Sequence, residues 1–217
     1  MITVYFFRHA ESMGNVNNHL IGGRSNHFPL SDRGYHQANL LGERLSKENL
    51  SFDFVYSSIA VRAKETARIA CEKTGFDPVK ILFSEDLVEL SQGEWEGKNR
   101  EEYYTPEVRV LLKADPYNFK PPGGESQREV ENRMYAWMET TVRGLEPGQN
   151  LNLGVFSHGF AIKSLVRKIL DFSPNMTFYT IVHNTSITCL QFHKSRWLVE
   201  RVNDFAHLAG TEIIGHY

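Results

Sequence analysis

Arg8 and His9 sit side by side where the apolar run of residues 2–7 gives way to the charged, hydrogen-bonding stretch RHAES. His158 and Gly159 follow a second apolar run, residues 151–156, in the same manner. Such runs read as buried strands, and in a parallel α/β sheet ligands bind in the crevice beyond the carboxyl ends of the strands. Two imidazoles at two strand ends are therefore candidates for one pocket. A neutral imidazole is a good nucleophile toward phosphorus, and a guanidinium beside it forks onto the oxygens of the anion under attack. Three further residues suit such a pocket. Asn15 follows Arg8 by seven positions, in a loop of small and amide residues. Arg62 opens a helix in SSIAVRAKETA just after a strand, where the helix N-terminus and the guanidinium both favour an anion. Glu89, ahead of SQGEWEG, offers a carboxyl group for proton transfer if its pocket keeps it protonated. Taken singly, each has a plainer reading: a surface pair, a solvated helix charge, a solvated loop glutamate, a core imidazole.

The elements that would position these residues alternate between strand and helix. After the first strand a Gly/Asn loop runs to about Leu30, and Ser31 or Asp32 can cap a helix through Ala38, Leu41 and Leu45. Residues 52–56 form a short strand ending in Ser57 and Ser58, and 59–72 read as helix. Residues 80–83 are a third strand, followed by the loop DLVELSQGEWEG. The segment 98–124, with aromatics, charges and PPGG, has no strand pattern and reads as a cover or insertion. Its Tyr103, Tyr104, Tyr117 and Phe119 are expected to pack it onto the core. A helix over 126–142 presents Val130, Met134, Trp137 and Met138 on one face, and the EPGQN turn leads to the strand at 151–156. A helix over 160–170 and β-rich stretches at 186–192 and 197–202 complete the chain. The alternation predicts an α/β fold with a parallel sheet covered by helices on both faces. No repeat or linker divides residues 1–217, so one domain is expected.

Composition narrows the partners. With 24 Lys+Arg against 26 Asp+Glu, the net charge of -2 offers no field for nucleic acid or anionic membranes, so an anion site must be local. No apolar run reaches the ~20 residues of a membrane span. Cys71 and Cys189 lack CxxC spacing, and the chain runs from Met1 into its first strand without a leader. A cytoplasmic protein with ordinary thiols is expected. Motifs for other chemistries are missing: no HExxH or His/Cys cluster for zinc, no GxxxxGK[ST], no GxGxxG, and GVFSHG has the wrong glycine spacing for a nucleophile elbow at Ser157. His19, His27, His36, His193 and His216 are assigned no role.

Together the pieces carry a family likeness. RHAES followed by Asn15, then GGRSNHFPLSDRG, SSIAVRAKETA, ELSQGEWEG, PPGGES and SHG, in that order from residue 3 to about residue 208, resemble the histidine phosphatase superfamily, phosphoglycerate mutase-like branch. The resemblance implies a three-layer α/β/α sandwich with a mostly parallel central sheet, a phosphohistidine intermediate, and no metal or organic cofactor. It carries over His9 as nucleophile, Arg8, Arg62 and His158 as phosphate contacts, Glu89 as proton donor and Asn15 as a further phosphate ligand. Ala10 stands where the family more often has glycine, and would resist a positive φ. Family mutases hold a carboxylate with paired arginines after the GEWEG-like loop. Here EEYYTPEVRVLLKADPYNFKPPGGES contains Arg109 and Lys113 but no adjacent arginines. The resulting reading is a phosphomonoester hydrolase acting on a small phosphorylated metabolite, with phosphoprotein as runner-up substrate. Arg24 and Lys98 are kept as candidate grips for a second anionic group. A phosphoglycerate mutase is the first alternative and a non-catalytic phosphate-binding module the second; a homodimer is left open.

Overall fold

The computed structural model describes residues 1–145 and 149–211. Glu146, Pro147 and Gly148 of the expected EPGQN turn, and His216, lie outside the described residues. Six strands form one sheet in the order β3-β2-β4-β1-β5-β6: β1 (Ile2–Arg8), β2 (Phe54–Ser58), β3 (Leu82–Ser84), β4 (Leu151–Ser157), β5 (Ile187–His193) and β6 (Arg196–Asp204). The first four run parallel, and β5 and β6 close one side as an antiparallel pair. This is the mixed α/β architecture expected, with the two β-rich C-terminal stretches supplying the antiparallel edge.

Side-chain alternation along β1 explains the layers. Ile2, Val4 and Phe6 point to one face and meet Val130, Met134 and Met138 of α6 (Gln127–Arg143) and Ile162 and Leu165 of α7 (Gly159–Leu170). Phe7 points to the other, where it joins Leu41 and Leu45 of α2 (Asp32–Lys47) and Ala67 and Ala70 of α3 (Val61–Thr74). Phe7 stacks on Phe156 of β4 with centroids 4.7 Å apart. Helices α2 and α6 begin on oxygen caps: Ser31 accepts from the Gly34 N–H, and Ser126 forms a capping box with Glu129. α3 starts at Val61 rather than residue 59, because Ala60 is still extended and the Val61 N–H donates to the Asn26 carbonyl. It ends at Gly75 in the left-handed conformation.

The segment 98–124 is more regular than its composition implied. It contains α4 (Arg100–Tyr103) and α5 (Pro106–Ala114), the latter capped by Thr105 with Pro106 at its first position, a start signal that the sequence reading passed over. Its aromatics gather on the GEWEG loop and on arginines rather than on the core clusters: Trp95 contacts Tyr103, Tyr104 and Phe119 with ring centroids 5.8, 5.4 and 6.2 Å away, and Tyr117 lies under the Arg128 and Arg167 guanidiniums. The short α1 (Met13–Val16) and α8 (Met176–Tyr179) complete the helices used below.

What positions the site is register. Arg8 pairs with Ser157 across the β1–β4 ladder, so the two central strands end level. The His9 N–H donates to the Ser157 carbonyl at 2.9 Å, which carries the pairing one residue further. His9 and His158, 149 positions apart in the chain, thus emerge beside each other at the carboxyl edge.

Helix α2 fixes the loop that follows. A Cβ on Gly34 would lie 1.9 Å from the Glu11 carbonyl oxygen, so only glycine lets the first turn of α2 approach that backbone. Replacing Gly34 with alanine must push α2 and the 10–12 loop apart. Overpacking of this kind costs about 1–3 kcal/mol or more, so G34A is expected to lower the urea midpoint at unchanged m and to slow turnover as well.

Candidate active site

The carboxyl edge opens into a cleft of about 490 Å³ whose walls include Arg8, His9, Asn15, Arg62, Glu89 and Asn184. His9 is buried, with its Nδ1 2.7 Å from the Ala10 carbonyl oxygen. A carbonyl only accepts, so Nδ1 carries the hydrogen and Nε2 keeps its lone pair. Arg62 donates from Nε to that lone pair at 3.2 Å. Burial, then the neighbouring Arg62 and Arg8 guanidiniums, hold His9 well below the ordinary imidazole value, so the ring is neutral at neutral pH.

Arg62 is the centre of the constellation. Its Nη2 lies 3.1 Å from His158 Nδ1 and donates to the Arg24 carbonyl at 3.1 Å, while Nη1 donates to the Ser25 carbonyl at 3.0 Å. Burial lowers its pKa to about 10, opposed by Glu89 and reinforced by Arg8, and the group stays cationic at neutral pH. Its own helix holds it: the Thr66 hydroxyl donates to the Arg62 carbonyl at 2.7 Å and accepts from the Ala10 N–H at 3.0 Å.

His158 is fully buried and its ring centroid is 5.0 Å from that of His9. With Arg62 donating to Nδ1, Nε2 carries the hydrogen and donates to Ser58 Oγ at 2.8 Å. Burial, then Arg62, His9 and Arg8, hold it well below the ordinary value. The ring is thus neutral, accepting from Arg62 and orienting it. Gly159 leaves room for Arg8, since a Cβ there would lie 3.2 Å from the Arg8 Nε. Arg8 donates from Nη1 to the Val182 carbonyl at 2.5 Å.

Glu89 accepts on both carboxylate oxygens from backbone N–H groups: Phe160 to Oε2 at 3.0 Å, Ala161 to Oε1 at 3.0 Å and Leu90 to Oε1 at 2.9 Å. The first two belong to the opening turn of α7, whose dipole favours a carboxylate at that point. Asn15 accepts on Oδ1 from the Ser12 N–H and hydroxyl at 3.0 and 3.2 Å, which leaves its NH₂ end as a donor for an anion.

Arg24 and Lys98 do not line the cleft. Arg24 pairs with Glu125 at 3.2 Å, and Lys98 is exposed, its backbone held by the Ile21 N–H on its carbonyl. Arg100 occupies the rim instead, donating to the Asn18 and Leu20 carbonyls at 3.3 Å. Ala10 has an ordinary φ and is fully buried, so the alanine in place of glycine introduces no strain.

Three positioning residues were not foreseen. Asn184 donates to the His9 carbonyl at 2.8 Å, and Ser58 orients His158. Glu96, inside the GEWEG stretch, accepts from the Arg24 and Ser25 N–H groups at 3.0 and 3.1 Å, and so braces the two carbonyls that hold Arg62. The signal was available for Glu96 alone, as a glutamate beside a turn glycine in a quoted motif.

Residues 4–205 match the histidine phosphatase superfamily (branch 1), and the chain belongs to that family. A protein of Salmonella choleraesuis (strain SC-B67) named probable phosphoglycerate mutase GpmB is 31% identical over 215 residues, covering 96% of this chain and 95% of its own length. Among solved structures, a mycobacterial glucosyl-3-phosphoglycerate phosphatase in complex with VO3 is 25% identical, with a TM-score of 0.77 over 93% of this chain and 99% of that one. A phosphoserine phosphatase variant from Entamoeba histolytica, in complex with phosphoserine, shares the fold at a TM-score of 0.81 and 23% identity, covering 96% of this chain and all of that one.

The lowered imidazoles fix a pH response of the fold. His9 and His158 are held well below 6.5, and His207 is lowered to about 4 by burial and then by Arg44. The unfolded chain takes up these protons near pH 6.5 and the folded chain only at lower pH, so below about pH 6.5 the unfolded state binds more protons and stability falls with acidification. Chemical denaturation between roughly pH 6.5 and 5 is expected to show ΔG declining by about 1–4 kcal/mol per pH unit, one to three protons' worth; a flat profile would contradict the neutral rings.

Proposed function

We propose that the protein hydrolyses phosphomonoesters through a phosphohistidine on His9, with a small phosphorylated metabolite as substrate. The observation that carries this reading is the pairing of a neutral imidazole of fixed tautomer with a buried guanidinium directly at its reactive nitrogen. As the substrate enters, Arg62 transfers its donors from Nε2 to the phosphoryl oxygens, and Arg8 and the Asn15 amide add further donors. Nε2 then attacks phosphorus and the bond to the leaving oxygen breaks. Glu89 gives that oxygen a proton, which requires the carboxyl group to take up a proton and release an N–H of α7. In the second step water attacks the phosphohistidine, Glu89 takes the proton, and His9 is restored. The reaction so drawn uses no metal. His158 acts through Arg62.

Two measurements test this. Quenching into alkaline denaturant, in which the P–N bond survives, during turnover of a labelled monoester is expected to trap phosphate on wild type and none on H9A; turnover by H9A at the wild-type rate would end the proposal. General acid catalysis is worth roughly 10²- to 10⁴-fold, so E89Q is expected to lose that much on an alkyl phosphate and far less on p-nitrophenyl phosphate, whose leaving group needs no proton. Equal losses on both would remove Glu89 from the acid role.

The 31% identity to a protein named as a probable phosphoglycerate mutase favours a second reading, phosphoryl return to another hydroxyl. Against it, the segment after GEWEG lacks adjacent arginines to hold a carboxylate. Incubation with 3-phosphoglycerate and a trace of bisphosphate separates the two: the hydrolase releases phosphate faster than it interconverts isomers. A binding module that has lost catalysis would take up phosphorylated ligands and never be labelled.

A further inference from the structure

The backbone of Arg8 and His9 is held by one tight turn ahead of β5. The Thr185 N–H donates to the Arg8 carbonyl at 3.0 Å, the Arg8 N–H to the Ser186 carbonyl at 3.3 Å, and the Asn184 amide to the His9 carbonyl at 2.8 Å. The same amide nitrogen reaches Asn15 Oδ1 at 3.5 Å, which reinforces the orientation that leaves the Asn15 NH₂ end for an anion. The turn is strained. Thr185 is fully buried with φ +57°, a conformation that β-branched residues avoid. Such strain persists only where its surroundings over-determine it, and it clusters at functional sites.

The threonine hydroxyl has two partners. Thr185 Oγ1 donates its single hydrogen to the Asn184 carbonyl at 2.7 Å and lies 2.9 Å from His207 Nε2. With that hydrogen committed, Oγ1 accepts from His207, whose proton is therefore on Nε2. The opposite ring nitrogen agrees: Arg44 Nη1, which can only donate, stands 3.5 Å from Nδ1. His207 is itself anchored, in the 3₁₀ turn Ala206–Leu208 that follows β6. Asp204, just ahead of it, accepts from Arg44 Nη1 and Nη2 at 2.8 and 2.5 Å and from the Ala206 N–H at 3.1 Å. Two more contacts tie this stretch to the strained turn: Asn203 Oδ1 accepts from the His183 N–H at 2.6 Å, and the Phe205 and His183 ring centroids are 4.2 Å apart. A line of hydrogen bonds thus runs from α2 through His207, Thr185 and Asn184 to the backbone of His9.

We propose that Thr185 and His207 are positioning residues for phosphoryl transfer: His207 locks the strained Thr185, and Thr185 sets the Asn184 amide that fixes the His9 backbone and the Asn15 donor. Neither residue lines the cleft. The inference rests on the phosphatase reading above and extends its machinery to the stretch after β6.

T185V keeps the volume and removes the hydroxyl; H207L removes the ring donor. A misplacement on the order of 1 Å costs about 10²-fold in rate, so each is expected to lower kcat by about 10- to 100-fold. The loss is expected to be equal on an alkyl phosphate and on p-nitrophenyl phosphate, because the nucleophile and not the acid is disturbed. T185S and H207Q, which retain a hydroxyl and an N–H donor of the same reach, are expected to keep the wild-type kcat. Coupling through Asn184 is read from a double-mutant cycle: H207L is expected to cost N184A little further rate, whereas independent effects multiply. Should H207L fail to fold, T185V and its cycle with N184A carry the same test. Wild-type turnover by T185V, a loss in H207Q as large as in H207L, or losses that multiply in the cycle overturns the proposal. Turnover by wild type without phosphate trapped on His9 would instead strike the reading beneath it.

Discussion

One guanidinium holds the catalytic edge together. Arg62 reaches from α3 to His9 at the end of β1 and to His158 at the end of β4, and is itself gripped by two carbonyls of the 24–25 loop. Four separate stretches of chain meet on one planar cation, which fixes the orientation of both rings that the strand register brings together. The group is buried, and burying a cation is unfavourable unless its donors are satisfied. Here two imidazole nitrogens and two carbonyls, all neutral acceptors, take four of its five N–H groups. The positive charge is therefore hydrogen-bonded but not neutralised, and the cleft stays attractive to an anion in a chain whose overall charge is slightly negative.

The same arrangement explains why both imidazoles are neutral. A cation donating to a ring nitrogen leaves no room for a proton there. At His9 this preserves the lone pair that the proposed reaction would use; at His158 it makes an acceptor that steers the guanidinium. The carbonyl of Ala10 and the hydroxyl of Ser58 finish the assignment by taking the opposite nitrogen of each ring. Polar pairing and deep burial thus leave His9 with a free lone pair, which in the proposed reaction needs no base to activate it.

Much of this was legible in the sequence because it rests on local pattern. The strands at 2–7 and 151–156 appeared as apolar runs, and their ends named His9 and His158. Arg62 could be picked out because a helix start after a strand is itself an anion signal. What stayed hidden depends on tertiary approach. Ser58 and Asn184 matter only because β2 and the 183–185 turn come within reach of the two histidines, and nothing in their own neighbourhoods announces it. The helix α5 was missed although Thr105 and Pro106 mark its start, because the mixed composition around it masked a nine-residue element. Arg24 and Lys98 were proposed on charge alone. One pairs with Glu125 and the other is exposed, and neither is among the residues lining the cleft.

Glu96 ties two parts of the molecule together. It sits just ahead of the 98–124 segment yet clamps the amides of the residues whose carbonyls seat Arg62. Any rearrangement of that segment that displaced Glu96 would also loosen the seat of the guanidinium, so cover and cleft are mechanically linked.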